Sequence, residues 1–217
     1  ALPIFVDGVY AGNKTWPFVG DSDSMFSMIV KQDEPLPCWD SLNFEIDLMV
    51  SNPLEHIDSW IAAGAMRLVV HVDSIDKATC LAIAQKIEEK GVELVFGVGT
   101  DTSIEKLVDY IAIVENPENL FHKGRSRKVV NWVQCMGIDK IGFQGEPFSE
   151  KVLSQIAKIK QALPYMYVSV DGAVNLETAP RLVSAGADRL VVGSALFASD
   201  SLRDVIVKFS QQFAPSV

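Results

Sequence analysis

The chain is expected to fold as a (β/α)8 barrel, and three observations carry that expectation. Short β-branched runs alternate with amphipathic helical segments along the whole length, the pattern of parallel strands joined by right-handed helical crossovers. One helix-to-strand joint recurs: Ala63-Gly64-Ala65-Met66-Arg67-Leu68-Val69-Val70 and Ala185-Gly186-Ala187-Asp188-Arg189-Leu190-Val191-Val192 differ at a single position. Each reads as a helix closed by a glycine and turned tightly into a buried strand. No low-complexity or linker-like stretch divides the 217 residues, so one domain spanning 1–217 is expected.

The first strand is placed at Leu2 to Val6, which runs straight into a turn at Asp7-Gly8 and lacks the basic start and long apolar stretch of a targeting signal. Further strands are expected at 44–50, 67–72, 93–98, 132–136, 167–170 and 189–192, with helices at 54–63, 75–90, 103–112, 149–163, 176–185 and 201–212. That makes seven strands, one short of a closed eight-stranded barrel. The first and last would then carry unpaired edges, to be covered by dimerisation, by the closing helix from Ser201 or by pairing with each other. The stretch from Asp109 to Asn131 is longer than a standard connector and holds the one dense basic run, Lys123 to Lys128, read as a solvated face. Asp21-Ser22-Asp23 lacks the glycine and distal glutamate of a calcium loop and reads as a turn or helix cap.

Composition excludes several functions. With 28 Asp plus Glu against 19 Lys plus Arg, the net charge is −9 and no basic stripe offsets it, so nucleic-acid binding is not expected. No apolar run approaches the roughly 18 residues that span a bilayer. Cys38, Cys80 and Cys135 are odd in number and show no metal-binding spacing. They read as buried thiols of a cytoplasmic protein.

In a parallel barrel, chemistry sits at the carboxyl ends of the strands. The residues there are Asp7-Gly8 with Asn13-Lys14-Thr15, Asp47 with Met49, His71 with Asp73, Gly97 to Thr100, Met136 with the glycine-rich 137–145, Asp171-Gly172 and Gly193-Ser194. Alternation along a strand turns Asp47 and Asp171 the same way, into the mouth, where burial could tune them as an acid/base pair; the competing reading has each accepting loop amides. His71 stands alone on an apolar strand and is read first as a packed, hydrogen-bonded core histidine, while His56 and His122 look exposed. Asn13-Lys14-Thr15 matches a glycosylation sequon by coincidence. Asp171-Gly172-Ala173 and Gly193-Ser194-Ala195 each follow a strand and lead towards a helix, so their amides can converge on a phosphate.

These residues, in this order, resemble the ribulose-phosphate 3-epimerase family: Asp7-Gly8 with Asn13 and Thr15, Asp47-Leu48-Met49-Val50 with Asn52-Pro53, Val70-His71-Val72, Gly99-Thr100, Met136 with a loop to Pro147-Phe148, Asp171-Gly172 with Val174-Asn175, and Gly193-Ser194-Ala195 with Phe197. The resemblance implies a ribulose-phosphate-binding barrel, an isomerase of carbohydrate metabolism, a phosphorylated ketose at the mouth and epimerisation at C3 through an enediolate. It also implies proton transfer by two aspartates around a divalent metal held by two histidines and those aspartates.

The chain departs from that pattern. An ungapped match puts Leu2 where a ligand histidine belongs, Ile4 where an acid/base aspartate belongs and Asp47 in place of the next histidine, leaving Asp171; Ala173 stands for the second of two glycines. A two-residue deletion would instead make Asp7 the base, at the expense of the Asn13 spacing. The match begins at the family's second strand, so the first βα unit has no counterpart here.

The resulting expectations are Asp171 and Asp47 as acid/base groups, His71, Met49, Met136 and Asp7 around the substrate, and Gly172, Ala173, Gly193 and Ser194 around its phosphate. No metal or other cofactor is expected, and a homo-oligomer is compatible with the open edges. Turnover and silent binding of a sugar phosphate both stay open.

Overall fold

Alternation sorts each strand's residues between two faces, and the sheet is built from that sorting. The computed structural model describes residues 3–19, 23–116, 118 and 129–213. In chain order these form β1 (Ile4–Val6), α1 (Asp23–Val30), β2 (Phe44–Met49), α2 (Ile57–Ala62), β3 (Ala65–His71), α3 (Lys77–Lys90), β4 (Glu93–Val98) and α4 (Ile104–Val114). There follow β5 (Val130–Met136), α5 (Lys151–Ala162), β6 (Tyr167–Asp171), α6 (Ala179–Ala185), β7 (Arg189–Val191), α7 (Ser194–Phe197) and α8 (Leu202–Gln212). The seven strands form one parallel sheet in sequential order, and β1 and β7 are its two ends. The expected barrel lacking a unit is therefore what the chain builds: a curled sheet with an open seam.

Helix limits follow from capping. Asp76 accepts the Thr79 amide at the start of α3, and Ser103 and Ser201 do the same for α4 and α8, each satisfying a donor that the first turn leaves free. Gly91 and Gly186 close α3 and α6 in the left-handed conformation. The expected helix at 54–63 is broken into a 3-10 turn, Pro53–Glu55, and the shorter α2. Two helices, α1 and α7, were not expected. The basic run 123–128 and His122 lie outside the described residues, as do Leu2, Asp21 and Ser22.

Outward-facing Ile46, Leu48, Val70, Leu94, Phe96, Val133 and Val168 pack under the helices against Trp60, Ile83, Leu107 and Ile156 in the main core. The inner face is layered. At the floor, Glu45 accepts from Arg67 on the adjacent strand and from Arg189 on β7, and both guanidinium groups lie over Trp132, 5.2 and 4.8 Å from the ring centroid. Since Glu45 belongs to β2, this contact draws the far end of the sheet across the interior. A small apolar cluster, Val6, Ala11, Met49, Met136 and Ile138, lines the top.

Helix α8 leaves Leu202, Ile206 and Val207 between two- and three-fifths exposed, and among the described residues β1 and β7 do not pair with each other. Two other expectations are corrected. Cys38 is exposed on an irregular stretch, where no packed element covers it, whereas burial pushes the Cys80 and Cys135 thiols up to about 12. His56 is half-buried because its ring packs edge-on against Phe18, at 5.3 Å. Among the described residues no helix is long and apolar enough to cross a membrane.

Candidate active site

The ends of β1, β2, β5, β6 and β7 and their loops surround a cavity of about 750 Å³ at the carboxyl end of the sheet. Asp171, Gly172, Ala173, Gly193, Ser194, Met49 and Met136 all line it, so seven of the expected site residues meet around one space. Met136 and Asp171 are cross-strand partners at the last rung of β5 and β6. The loops that follow them are close-packed: the Gly137 amide donates to the Asp171 carbonyl at 2.7 Å, and a Cβ on Gly137 would lie 2.1 Å from the Gly172 carbonyl oxygen.

Asp171 is 7% exposed, and its surroundings favour the proton-bearing form. Burial pushes its pKa up to about 7 from an ordinary 3.8, the charge of Asp47 adds to the rise, and the Gly172 amide opposes it. A carboxyl poised there can give or take a proton at neutral pH.

Asp47 faces inward as alternation requires, but one layer deeper, and it does not line the cavity. Its two oxygens are taken: His71 Nε2 donates to Oδ1 at 3.0 Å and Gln134 Nε2 donates to Oδ2 at 2.7 Å. His71 is thus the buried, hydrogen-bonded histidine expected of it, its ring lying so flat against Gly97 that a Cβ there would come within 2.9 Å, and it too stays outside the cavity. Tyr10 covers it, with 5.5 Å between ring centroids.

Asp7 organises a loop. It accepts from the amides of Val9, Tyr10 and Ser51 and from the Ser51 hydroxyl at 2.7 to 2.9 Å. Burial works against ionisation, yet these bonds outweigh it and hold Asp7 down to about 2. Thr15 is consumed by the backbone of β1, and Asn13 by the Lys14 amide and the Gly142 carbonyl. Asp73, exposed at the rim, pairs with Lys106.

Gln134 was missed by sequence reasoning, although a lone amide at an inward position of an apolar strand is a readable signal. Ile138 and Val191, which wall the cavity, gave no signal at all.

The donor set does not fit the divalent cation that the resemblance implies. Ile4 offers no donor, and both Asp47 oxygens already accept from N–H groups. Among the described residues only Asp171 and, on the outer loop, Glu146 bring carboxylates to the cavity. A cation of that kind wants several imidazole or carboxylate ligands converging on one point.

Comparison with known proteins agrees with the architecture. The family model described as the Ribulose-phosphate 3 epimerase family matches residues 24–197. A ribulose-phosphate 3-epimerase of Treponema pallidum is 30% identical over 173 residues, 78% of this chain and 70% of that protein. The enzyme of the same name from Chlamydia pneumoniae is 29% identical over 167 residues, 74% of this chain and 65% of that protein. The chain thus spans about two thirds of the length of such relatives. Among solved structures, a 3-hexulose-6-phosphate synthase superimposes with a TM-score of 0.58 at 16% identity, covering 98% of this chain and 99% of that one. A 3-keto-L-gulonate-6-phosphate decarboxylase from Vibrio cholerae does so with 0.62 at 10% identity, covering 90% and 81%. At such identities the likeness shows the fold.

Proposed function

From the premise that this chain belongs to the ribulose-phosphate 3-epimerase family, we propose that its mouth binds a phosphorylated ketose, with Asp171 as the acid/base group. The observation that carries the reading is that Asp171 shares its cavity with Gly172, Ala173, Gly193 and Ser194. Gly193 leads into α7, whose first amides have no intrahelical acceptor. The Ser194 hydroxyl adds a donor. Among the described residues no lysine or arginine lines the cavity, and there the anion would be met by main-chain dipoles.

Epimerisation needs a proton removed from one face of C3 and returned to the other. Asp171 serves one face. Ile4, at the position where the ungapped match expects the other aspartate, lines the cavity but neither takes nor gives a proton, and Asp47 is screened below by its own partners. Loss of one member of such a pair costs about 10² to 10⁴ in rate. The reading is therefore binding of a ketose phosphate with slow or absent inversion of ribulose 5-phosphate.

Amide NMR with inorganic phosphate and with ribulose 5-phosphate tests it: the Gly193 and Ser194 resonances should move on titration. Gly193→Asp should abolish the shifts without unfolding the chain, because a Cβ at Gly193 meets nothing within 4 Å. Unmoved amides at saturating phosphate would refute the site, and a kcat near 10 s⁻¹, typical of enzymes, would refute the slow inversion.

A further inference from the structure

The amino-terminal end of the sheet takes no part in that reading. The alternation that turns Asp47 and Asp171 inward also turns one residue of each strand from β2 to β7 inward at the floor: Glu45, Arg67, Glu93, Trp132, Tyr167 and Arg189. Ion pairs and ring contacts join the six into one layer. Arg67 bridges Glu45 and Glu93, Arg189 pairs with Glu45, both arginines lie over Trp132, and Tyr167 stacks on Trp132 with 4.9 Å between centroids. The layer faces solvent. Tyr167 is 52% exposed, Glu93 two-fifths, and Met66 at the same end 57%; a hollow of about 600 Å³ lies between Met66, Arg67, Glu93 and Arg189.

This end of a parallel barrel serves stability, and paired charges in the bore supply that without an exposed tyrosine and methionine beside them. Trp, Tyr, Met and Arg are the types enriched in the cores of protein interfaces, whereas Leu and Val, which helix α8 exposes, are seldom their anchors. Charge names the occupant. The chain carries a net −9, so two copies repel over most of their surface, but the floor layer sets two glutamates against two arginines. Its spare bonding capacity is self-complementary too. Among the described residues Glu93 accepts from Arg67 through Oε2 and from nothing through Oε1, and Arg67 spends three of its five N–H groups. A two-fold axis lying in the plane of the floor sets each copy's Glu93 against the other's Arg67, the reciprocal contact that an isologous dimer requires.

We propose that two copies of this chain associate floor to floor, with Met66 and Tyr167 of each buried against the other and the Arg67–Glu93 pairs shared between them. The two mouths then open at opposite ends of the dimer, and the ketose-phosphate reading stands or falls separately.

Sedimentation velocity of the full chain over a concentration series tests this, and a monomer–dimer equilibrium is expected. Met66→Lys places a charge on an exposed side chain, and Tyr167→Ala trims a half-exposed ring, so both variants should keep the circular dichroism of the parent. Each should raise the dimer dissociation constant about tenfold or more, the scale of a lost anchor. Ile206→Lys, on the competing apolar face of α8, should leave the constant unchanged. If Tyr167→Ala loses structure, Met66→Lys decides alone. A chain that stays monomeric up to about 1 mM, the weak end of measurable association, would overturn the proposal. So would an assembly of more than two copies, a constant that a folded floor variant leaves unmoved, or one that Ile206→Lys raises as much.

Discussion

Replacing Asp171 with asparagine should change how stability depends on pH, in a way that can be worked out from its surroundings. In the unfolded chain the carboxyl ionises near 3.8; in the fold it holds its proton to about 7. Below pH 3.8 both states are protonated and the group makes no difference. Between about 4 and 7 the unfolded state has lost the proton and the folded state has kept it, so each rise in pH favours unfolding. Above about 7 both are ionised and the cost is constant. A gap of about three pH units at about 1.4 kcal/mol each gives a loss of about 4 kcal/mol across that window. The asparagine variant has no proton to hold. Urea unfolding of both chains at fixed ionic strength from pH 4 to 8 should therefore show the variant gaining about 4 kcal/mol on the parent, with the gain complete by about pH 7. Asp47→Asn in the parent should narrow that pH window without closing it, since burial outranks the charge of Asp47 among the causes. A difference curve flat from pH 4 to 7 would show that Asp171 is ionised in the fold, and the acid/base assignment would fall with it.

Removing the floor carboxylate, Glu45→Ala, strips both Arg67 and Arg189 of a partner and should cost about 3 kcal/mol in urea melts. Gly137→Ala should destabilise by about 3 kcal/mol or prevent folding, because its Cβ would strike the Gly172 carbonyl; thermal melts check this. Asp7, held down to about 2, contributes stability that is present above pH 3.8 and lost as the pH falls through 2; Asp7→Asn should flatten the acid limb between those values in circular dichroism.

The strands were legible because their inner and outer faces differ in chemistry and because two near-identical joints mark the same turn twice. Helix α1 was not. Its apolar positions, Met25, Phe26 and Ile29, span barely two turns, too short for periodicity to separate helix from loop. At the site, alternation correctly sent both Asp47 and Asp171 inward. What it does not convey is depth: the stagger of parallel strands sets Asp171 at the top rung beside Met136 and Asp47 lower, beside Val69. The partners that occupy Asp47 come from β3 and β5, and a pairing across strands is written nowhere in a linear chain. Cys38 and His56 were misjudged for the same reason, their exposure being set by what a loop happens to pass over.

The Glu45–Arg189 contact joins residues 144 apart in sequence, whereas each sheet rung joins neighbouring βα units. Order in time should follow. Units with short loops to close can assemble successively from any nucleus, and the strap across the floor must come after both ends exist. Every residue of β7 is only partly buried, and α8 beyond it has no buried residue. Native-state hydrogen exchange should accordingly find the carboxyl-terminal segment opening as a separate cooperative unit, well below the energy needed to melt β2 to β5. Gly193 and Ser194, which follow that strand, are half of the proposed phosphate cradle, so on that proposal occupancy of the mouth would slow that exchange, and the ligand itself would act as the missing closure of the ring.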